Sequence, residues 1–380
     1  MKVRKIILLS SYLLLCINLL SLNFNVSIWG DRNIREVYFK VLNGNYLLYI
    51  KGKQVIDIPT DSVLKLRLST KKMIEVIYNN SFICSSDSIV IEGKGFKPYF
   101  KIYIDSLDNE YVYENNLLLF YNDKSIRMIN DVDVENYVAG VVQAESGNKA
   151  TIEYYKVQAI ICRTYAIAYL NRHIDEGYEL CDKAHCQVYK GKCTNPEILM
   201  ATYSTRGKII VDDDSNVINA SFHANCGGMT ENSENVWQKD LSYLKSVTDT
   251  YCIVYPQARW IFKIKESDFI NYLADKWQLK KTKDNIDYIR NYSQDKRGVF
   301  FYKDSIIPLK QIRIDYQLRS TWFSIRKDSL SDTLIFIGRG SGHGVGLCQQ
   351  GAMRMAELGY DYESIIKYYY RNVRIVDIRE

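Results

Sequence analysis

The first third of the chain has short apolar and aromatic runs separated by polar turn residues. Runs of this length predict strands, because half-buried strands rarely exceed eight residues. Examples are Val37–Leu42, Tyr46–Ile50, Ile74–Tyr78 and Phe100–Ile104. Asn43-Gly44-Asn45 predicts a hairpin between the first two runs, and Tyr111–Tyr121 predicts a further strand pair. We therefore expect a β-rich region over residues 24–128.

The pattern becomes helical at residue 133. Apolar residues at 134, 137, 138, 141 and 142 recur at the spacing of one helix face, and Asp133 is placed to cap that helix. Glu145 continues the same apolar stripe, and Ser146-Gly147-Asn148 ends the helix. A second helix is predicted over Ile152–Arg172, where Lys156 and Arg163 share one face.

The remaining pattern mixes strands and helices. Asp212-Asp213-Asp214 predicts a turn between the strands Ile209–Val211 and Val217–Phe222. Near the end we expect a strand at Leu334–Ile337, then helices at Gln349–Leu358 and Tyr362–Tyr370. Residues 252–330 have the character of an insertion or peripheral subdomain. The prediction is an α+β fold in which the β-rich region precedes a catalytic domain of helices and antiparallel strands at 129–380.

The N-terminus has the order of an export signal. Lys2, Arg4 and Lys5 precede the mostly apolar stretch Ile6–Leu22. Because this stretch is near the minimum length of a membrane span, residues 1–23 are either a signal peptide or a membrane anchor. We expect an exported protein that is periplasmic, extracellular or anchored facing the cell wall.

Composition narrows the class of protein. Hydrophobic residues form 47% of the 380, which indicates a globular fold. The net charge of +6 is spread along the chain without a long Lys/Arg run, so nucleic acid is not an expected partner. Of nine cysteines, one lies in the apolar N-terminal stretch. The other eight are an even number, which permits disulfides in an exported protein.

Glu145 is the first candidate for chemistry. A carboxyl group on an apolar helix face is partly desolvated, which raises its pKa and suits a general acid. Lys156 and Arg163 are placed to bind sugar groups or to hold Glu145. The alternative is a structural glutamate paired with one of these basic residues.

A second candidate is the set His173, Cys181, His185 and Cys186. Two thiolates and two imidazoles match zinc, and four protein ligands would make the site structural. The alternative is a disulfide, either Cys181–Cys193 or Cys186–Cys193.

Two further motifs contain histidine. His223 and Cys226 are three residues apart beside two glycines, and on a strand they would face opposite sides, which argues against a nucleophile–base pair. His343 stands among alternating glycines at 338 to 346, which permit a tight backbone turn. Ligand binding and a structural role are both open for His343.

In several segments the sequence resembles the SpoIID/LytB family, the stage II sporulation protein D and amidase-enhancer group. The resemblance covers about 130–372, apart from 252–330. The matching stretches, in order, are Val134–Glu145, Lys156–Ala166, Cys181–Tyr189, Cys226–Glu231 and Gly342–Ala352.

The resemblance implies a lytic transglycosylase that cleaves the MurNAc–GlcNAc bond of peptidoglycan. Family members of the sporulation type prefer peptide-stripped glycan, and the sequence leaves the preference of this chain open. The resemblance implies Glu145 as the catalytic residue and places the basic helix residues of the family at Lys156 and Arg163. We expect His343, Gln349 and Tyr369 to be further substrate contacts. The resemblance also implies a zinc ion at the His/Cys set. Such an enzyme needs one carboxyl group, because the muramyl C6 hydroxyl attacks its own anomeric carbon and leaves a 1,6-anhydro end. The competing hypotheses are a non-catalytic wall-binding protein that activates a cell-wall amidase, and a zinc-dependent wall hydrolase.

Overall fold

The computed structural model describes residues 22–104, 111–122, 124–301 and 307–379. The predicted export segment, Ile6–Leu22, therefore lies almost entirely outside the described residues. Among those that are described, no helix is both long and apolar enough to span a bilayer. The chain divides into two compact units, one formed by residues up to Ile210 together with those from Ile375, the other by Val211–Arg374.

The first unit contains the predicted β-rich region. Its strands are β1 (Asn23–Ile28), β2 (Glu36–Ile50), β3 (Lys53–Ile58), β4 (Val63–Leu68), β5 (Ile74–Tyr78), β6 (Ser81–Ser86), β7 (Ser88–Tyr103), β8 (Tyr111–Glu114), β9 (Asn116–Asn122), β10 (Ser125–Asp133) and β11 (Leu180–Cys181). Strand β12 (Lys208–Asp212) follows later. In the described residues β1–β11 form one sheet, with β11-β1-β10-β9-β7-β2-β4-β5-β6 as its main order.

The predicted hairpin at residues 43–45 is wrong. β2 continues through these residues, and its register with β7 shifts on both sides of Asn43. The asparagine amide donates to the carbonyl of Lys97 at 2.8 Å, and Gly44 has a φ of +76°. The Asn-Gly-Asn motif therefore forms a bulge, which bends a long strand instead of ending it. The strand pair predicted at Tyr111–Tyr121 corresponds to β8 and β9, and each of these strands pairs with β7.

Three helices follow the sheet. They are α1 (Val134–Ser146), α2 (Ile152–Ala168) and α3 (Pro196–Ser204). The Asp133 carboxylate accepts from the backbone N–H of Glu135 and Asn136, which confirms the predicted cap. Helix α2 ends four residues before the predicted Arg172. At Gly140 an added Cβ would lie 2.2 Å from the carbonyl of Gly191, so only glycine lets this loop cross α1 so closely.

The second unit has its own core. Its strands are β13 (Phe222–His223), β14 (Arg259–Lys265), β15 (Phe323–Lys327), β16 (Thr333–Arg339) and β17 (Leu347–Cys348). Its helices are α4 (Ser233–Trp237), α5 (Glu266–Trp277), α6 (Lys283–Arg290), α7 (Leu309–Asp315), α8 (Gln349–Glu357) and α9 (Tyr362–Tyr369). Strand β18 (Val373–Asp377) follows, and its residues from Ile375 belong to the first unit. The antiparallel sheet β14-β16-β15 packs on an aromatic core that includes Phe269, Phe301 and Phe336.

The α+β fold class is confirmed. The helices predicted after residue 348 are present, with the second capped by Asp361 as expected. The predicted strand at Val217–Phe222 is reduced to a single bridge, Val211 to Val217, and the two residues of β13.

Candidate functional site

Glu145 lies in the last turn of α1, where its side chain is half-buried. Its carboxylate accepts a hydrogen bond from the backbone N–H of Val188 at 2.9 Å. Burial raises the pKa of Glu145, while the Val188 N–H and the charge of Lys190 oppose that rise. A carboxyl group in this setting holds its proton at a higher pH than an exposed glutamate does, as general acid catalysis requires.

Lys156 lies on helix α2, which follows α1 in the chain. Its ammonium group pairs with Glu153 at 2.6 Å, and about a quarter of the side chain is exposed. Because part of the side chain is exposed, a substrate contact by Lys156 stays a prediction.

Arg163 is fully buried, contrary to the predicted substrate contact. Its guanidinium forms a two-point ion pair with Glu135, including Nε to Oε1 at 3.1 Å, and donates to the carbonyl of Lys208 at 2.9 Å. Glu135 also accepts from the backbone N–H of Gly207 at 3.2 Å. With no exposed surface, Arg163 joins α1 and α2 to the start of β12. Glu135 was not predicted from the sequence, although a charge within the first turn of an apolar helix was a usable signal.

The predicted metal set comes together in the first unit. The four candidate ligand atoms of His173, Cys181, His185 and Cys186 all lie within 4.8 Å of one another. The Cys186 sulfur is 3.4 Å from Nε2 of His173. Nδ1 of His173 bonds to Glu176 at 2.6 Å, which leaves Nε2 as the ligand atom. None of the eight described cysteines is in a disulfide, and Cys193 is outside the set. These donors match a closed structural zinc site.

The His/Cys set and Glu145 are connected by a short piece of chain. Val188, whose N–H binds the Glu145 carboxylate, follows Cys186 by two residues. A metal ion bound to Cys186 would therefore also hold the Val188 N–H in place. This contact was not predicted from the sequence, because any residue type except proline supplies a backbone N–H donor.

The remaining predicted residues lie in the second unit. Both ring nitrogens of His343 are bonded: Nε2 donates to the carbonyl of Phe222 at 2.9 Å and Nδ1 accepts from the N–H of Val345 at 3.1 Å. Burial lowers the pKa of His343 to about 4, so the ring is neutral. The flanking glycines 340, 342, 344 and 346 all have positive φ, as a tight turn requires. His343 also lines a cavity of about 880 Å³, together with Trp237, Arg297 and Lys310.

Tyr369 and Gln349 are both largely inaccessible. Tyr369 is 1% exposed, and its hydroxyl donates to Asp249 at 3.0 Å, so it supports the fold instead of presenting a group to a ligand. Gln349 is the first residue of α8 and is 9% exposed; its substrate contact stays a prediction.

The chain is similar to known proteins of one family. The stage II sporulation protein family model matches residues 122–211, which include α1, α2 and the His/Cys set. Stage II sporulation protein D of Bacillus subtilis is 30% identical over 263 residues, which are 65% of this chain and 75% of that protein. The chain belongs to the SpoIID/LytB family.

Two other relatives differ in how much of each chain the similarity covers. An uncharacterized protein of Brachyspira hyodysenteriae is 28% identical over 92% of this chain and 94% of its own length, so the resemblance also includes the β-rich region. A B. subtilis protein named amidase enhancer is 26% identical, but the match covers 39% of it. Membership of the SpoIID/LytB family and the enhancer relative together support a function related to the cell wall.

Proposed function

We propose that this chain is a peptidoglycan lytic transglycosylase with Glu145 as its single acid/base. The observation that carries the proposal is the half-buried Glu145 carboxyl, which has a raised pKa and is oriented by the Val188 N–H. The substrate would be glycan strands outside the cytoplasm, which agrees with the export signal expected from the sequence. We propose Lys156 as the basic contact to the glycan.

The proposed reaction uses the Glu145 carboxyl group twice, first as an acid and then as a base. Protonated Glu145 donates to the oxygen between MurNAc and GlcNAc, and the bond from that oxygen to the MurNAc anomeric carbon breaks. The C6 hydroxyl oxygen of the same MurNAc bonds to the anomeric carbon, and its proton passes to the Glu145 carboxylate. The products are a GlcNAc hydroxyl end and a 1,6-anhydroMurNAc end. Attack within one sugar benefits from a high effective molarity, so no enzyme nucleophile is needed.

The product distinguishes this reaction from hydrolysis. Purified protein is incubated in H₂¹⁸O with intact glycan and with peptide-stripped glycan, and the ends are analysed by mass spectrometry. We expect anhydro ends without ¹⁸O, with more product from stripped strands. Reducing ends carrying ¹⁸O would indicate a hydrolase, and the absence of new ends on both substrates would refute enzymatic cleavage.

The pH dependence should report the protonated form of Glu145. Because burial raises the pKa of this carboxyl, kcat/KM should fall with rising pH along a limb centred above 4.5, the ordinary pKa of glutamate. Initial rates on stripped glycan across the pH range would locate this limb. A rate that instead rises with pH through the same range would require a carboxylate base.

We also propose a structural zinc ion held by His173, Cys181, His185 and Cys186. It would supply no step of the reaction and would fix the loop that carries Val188. We expect Cys186→Ser to lose one zinc per chain and to cleave glycan more slowly, as measured by metal analysis and product yield. Cys193→Ser is the matched control, because Cys193 is buried in the same loop but outside the set. Equal effects of the two variants, with zinc unchanged, would instead favour a disulfide to Cys193.

The amidase-enhancer relative favours one second candidate, a wall-binding protein that activates an N-acetylmuramoyl-L-alanine amidase. On this hypothesis the chain would raise amidase activity on intact wall, and Glu145→Gln would raise it equally. The lytic hypothesis predicts new anhydro ends in the absence of any amidase.

A further inference from the structure

The second unit contains a cluster that the proposed reaction does not use. Candidate ligand atoms of Cys226, Asp249, Cys252 and Cys348 lie within 4.8 Å of one another. All four side chains are completely buried. Three cysteines and an aspartate in such a position need a physical explanation, because thiols and carboxylates seldom meet by chance inside a core.

The four residues come from three separate segments. Cys226 follows β13, Asp249 and Cys252 lie on one short turn, and Cys348 caps the N-terminus of α8. The fold thus brings Cys226 together with Asp249, 23 residues away in sequence, and with Cys348, 122 residues away.

Backbone donors are directed at the cluster. The Cys348 sulfur accepts from the N–H of Cys226 at 3.2 Å and from that of Gly351 at 3.4 Å. The Arg297 guanidinium donates to the Cys226 carbonyl at 3.1 Å, so a cationic group lies beside the cluster. N–H donors and a cation beside a sulfur stabilise it when it binds a metal ion as a thiolate.

Asp249 supplies the second observation. Its carboxylate accepts from the N–H of Tyr251 and of Cys252 and from the Tyr369 hydroxyl, and these three donors are neutral. Burying a carboxylate is costly unless it is paired or coordinates a metal. The Cys226 sulfur is 3.2 Å from the same carboxylate, so the aspartate belongs to the cysteine group.

Two other roles explain the cluster less well. A disulfide between Cys226 and Cys252, whose sulfurs are 3.3 Å apart, would leave Cys348 and Asp249 without a role. A catalytic cysteine would need access to substrate and a base. The cysteines have no exposed surface, so none of them meets the first of these requirements.

We propose that Cys226, Cys252, Cys348 and Asp249 bind a second, structural zinc ion. Thiolates select zinc among the common divalent metals, and four protein ligands leave no position for water or substrate. Binding would release the protons of the three thiols and would connect the loop after β13, the 249–252 turn and the start of α8. The site is independent of Glu145 and of the His/Cys set.

Metal analysis of the full-length protein tests the site. We expect Cys348→Ala to contain one zinc per chain fewer than the wild type, and Asp249→Cys, which keeps four ligands, to contain the wild-type amount. Cys84→Ser is the control, since Cys84 is a half-buried cysteine outside both sets. Wild-type zinc content in Cys348→Ala would overturn the proposal. Cys186→Ser should lose a different ion, so that the double variant loses two.

A measurement on the wild type covers the case in which Cys348→Ala does not fold. The protein is denatured with a chelator and without reductant, alkylated, and mapped by mass spectrometry. We expect Cys226, Cys252 and Cys348 all to be alkylated, and to be protected in the native protein until the chelator is added. Labelling of Cys226 and Cys252 only after reduction would reveal a disulfide and overturn the zinc site.

Discussion

Glu145→Gln is expected to lower the rate of glycan cleavage by roughly 10²- to 10⁴-fold, the usual contribution of general acid–base catalysis. Glutamine keeps the size of glutamate and an oxygen that can accept the Val188 N–H. It carries no transferable proton. The loss should therefore appear in kcat, with KM for stripped glycan nearly unchanged. Anhydro ends counted by mass spectrometry would give the rate.

The same variant has an expected stability signature. Because burial raises the pKa of Glu145, the folded protein binds more protons than the unfolded chain at pH values between the two pKa values, and stability falls as pH rises there. Glutamine removes this titration. At neutral pH, Glu145→Gln should be at least as stable as the wild type, and the difference should disappear below about pH 4. Urea unfolding at several pH values would measure it.

Glu179→Gln is the matched control for Glu145→Gln. Glu179 is also half-buried, its pKa is also raised by burial, and it also accepts a backbone N–H, from Asn25 at 2.7 Å. Glu179→Gln should change the stability in the same direction as Glu145→Gln, and its rate of glycan cleavage should equal that of the wild type. Equal cleavage by both variants and the wild type would refute the assignment of Glu145.

The sequence was sufficient for the local part of this site. Helix α1 was predicted within one residue, because its cap and apolar spacing are local, and Glu145 continues that stripe. The N–H that orients Glu145 comes from a residue 43 positions away, in a loop with no regular pattern. Such a contact depends on how the loop crosses α1 at Gly140, which no local pattern encodes.

Strand connectivity was harder to predict for a similar reason. Asn43-Gly44-Asn45 has the composition of a two-strand turn, but pairing with β7, about fifty residues away, keeps β2 continuous. Tertiary pairing thus overrode the local turn preference. The cluster of Cys226, Asp249, Cys252 and Cys348 could not be predicted from the sequence either, because the number of cysteines does not say which of them lie close together in the fold.

Arg163→Met is expected to cost about 3–5 kcal/mol of stability in the first unit, the typical effect of removing one partner from a buried ion pair. Methionine roughly fills the space of the arginine stem but leaves the Glu135 carboxylate buried without its cation. It also removes the donor to the carbonyl of Lys208. Urea unfolding followed by circular dichroism would measure the loss.

The exposed pair of Arg67 and Glu75 on β4 and β5 is the matched control. It joins the same residue types, but half of the Arg67 side chain is in solvent, so Arg67→Met should change stability little. The double variant Glu135→Leu with Arg163→Met should recover much of the loss, because no buried charge remains uncompensated. Wild-type stability in Arg163→Met, together with slower cleavage, would instead mean that Arg163 contacts the glycan and not only the fold.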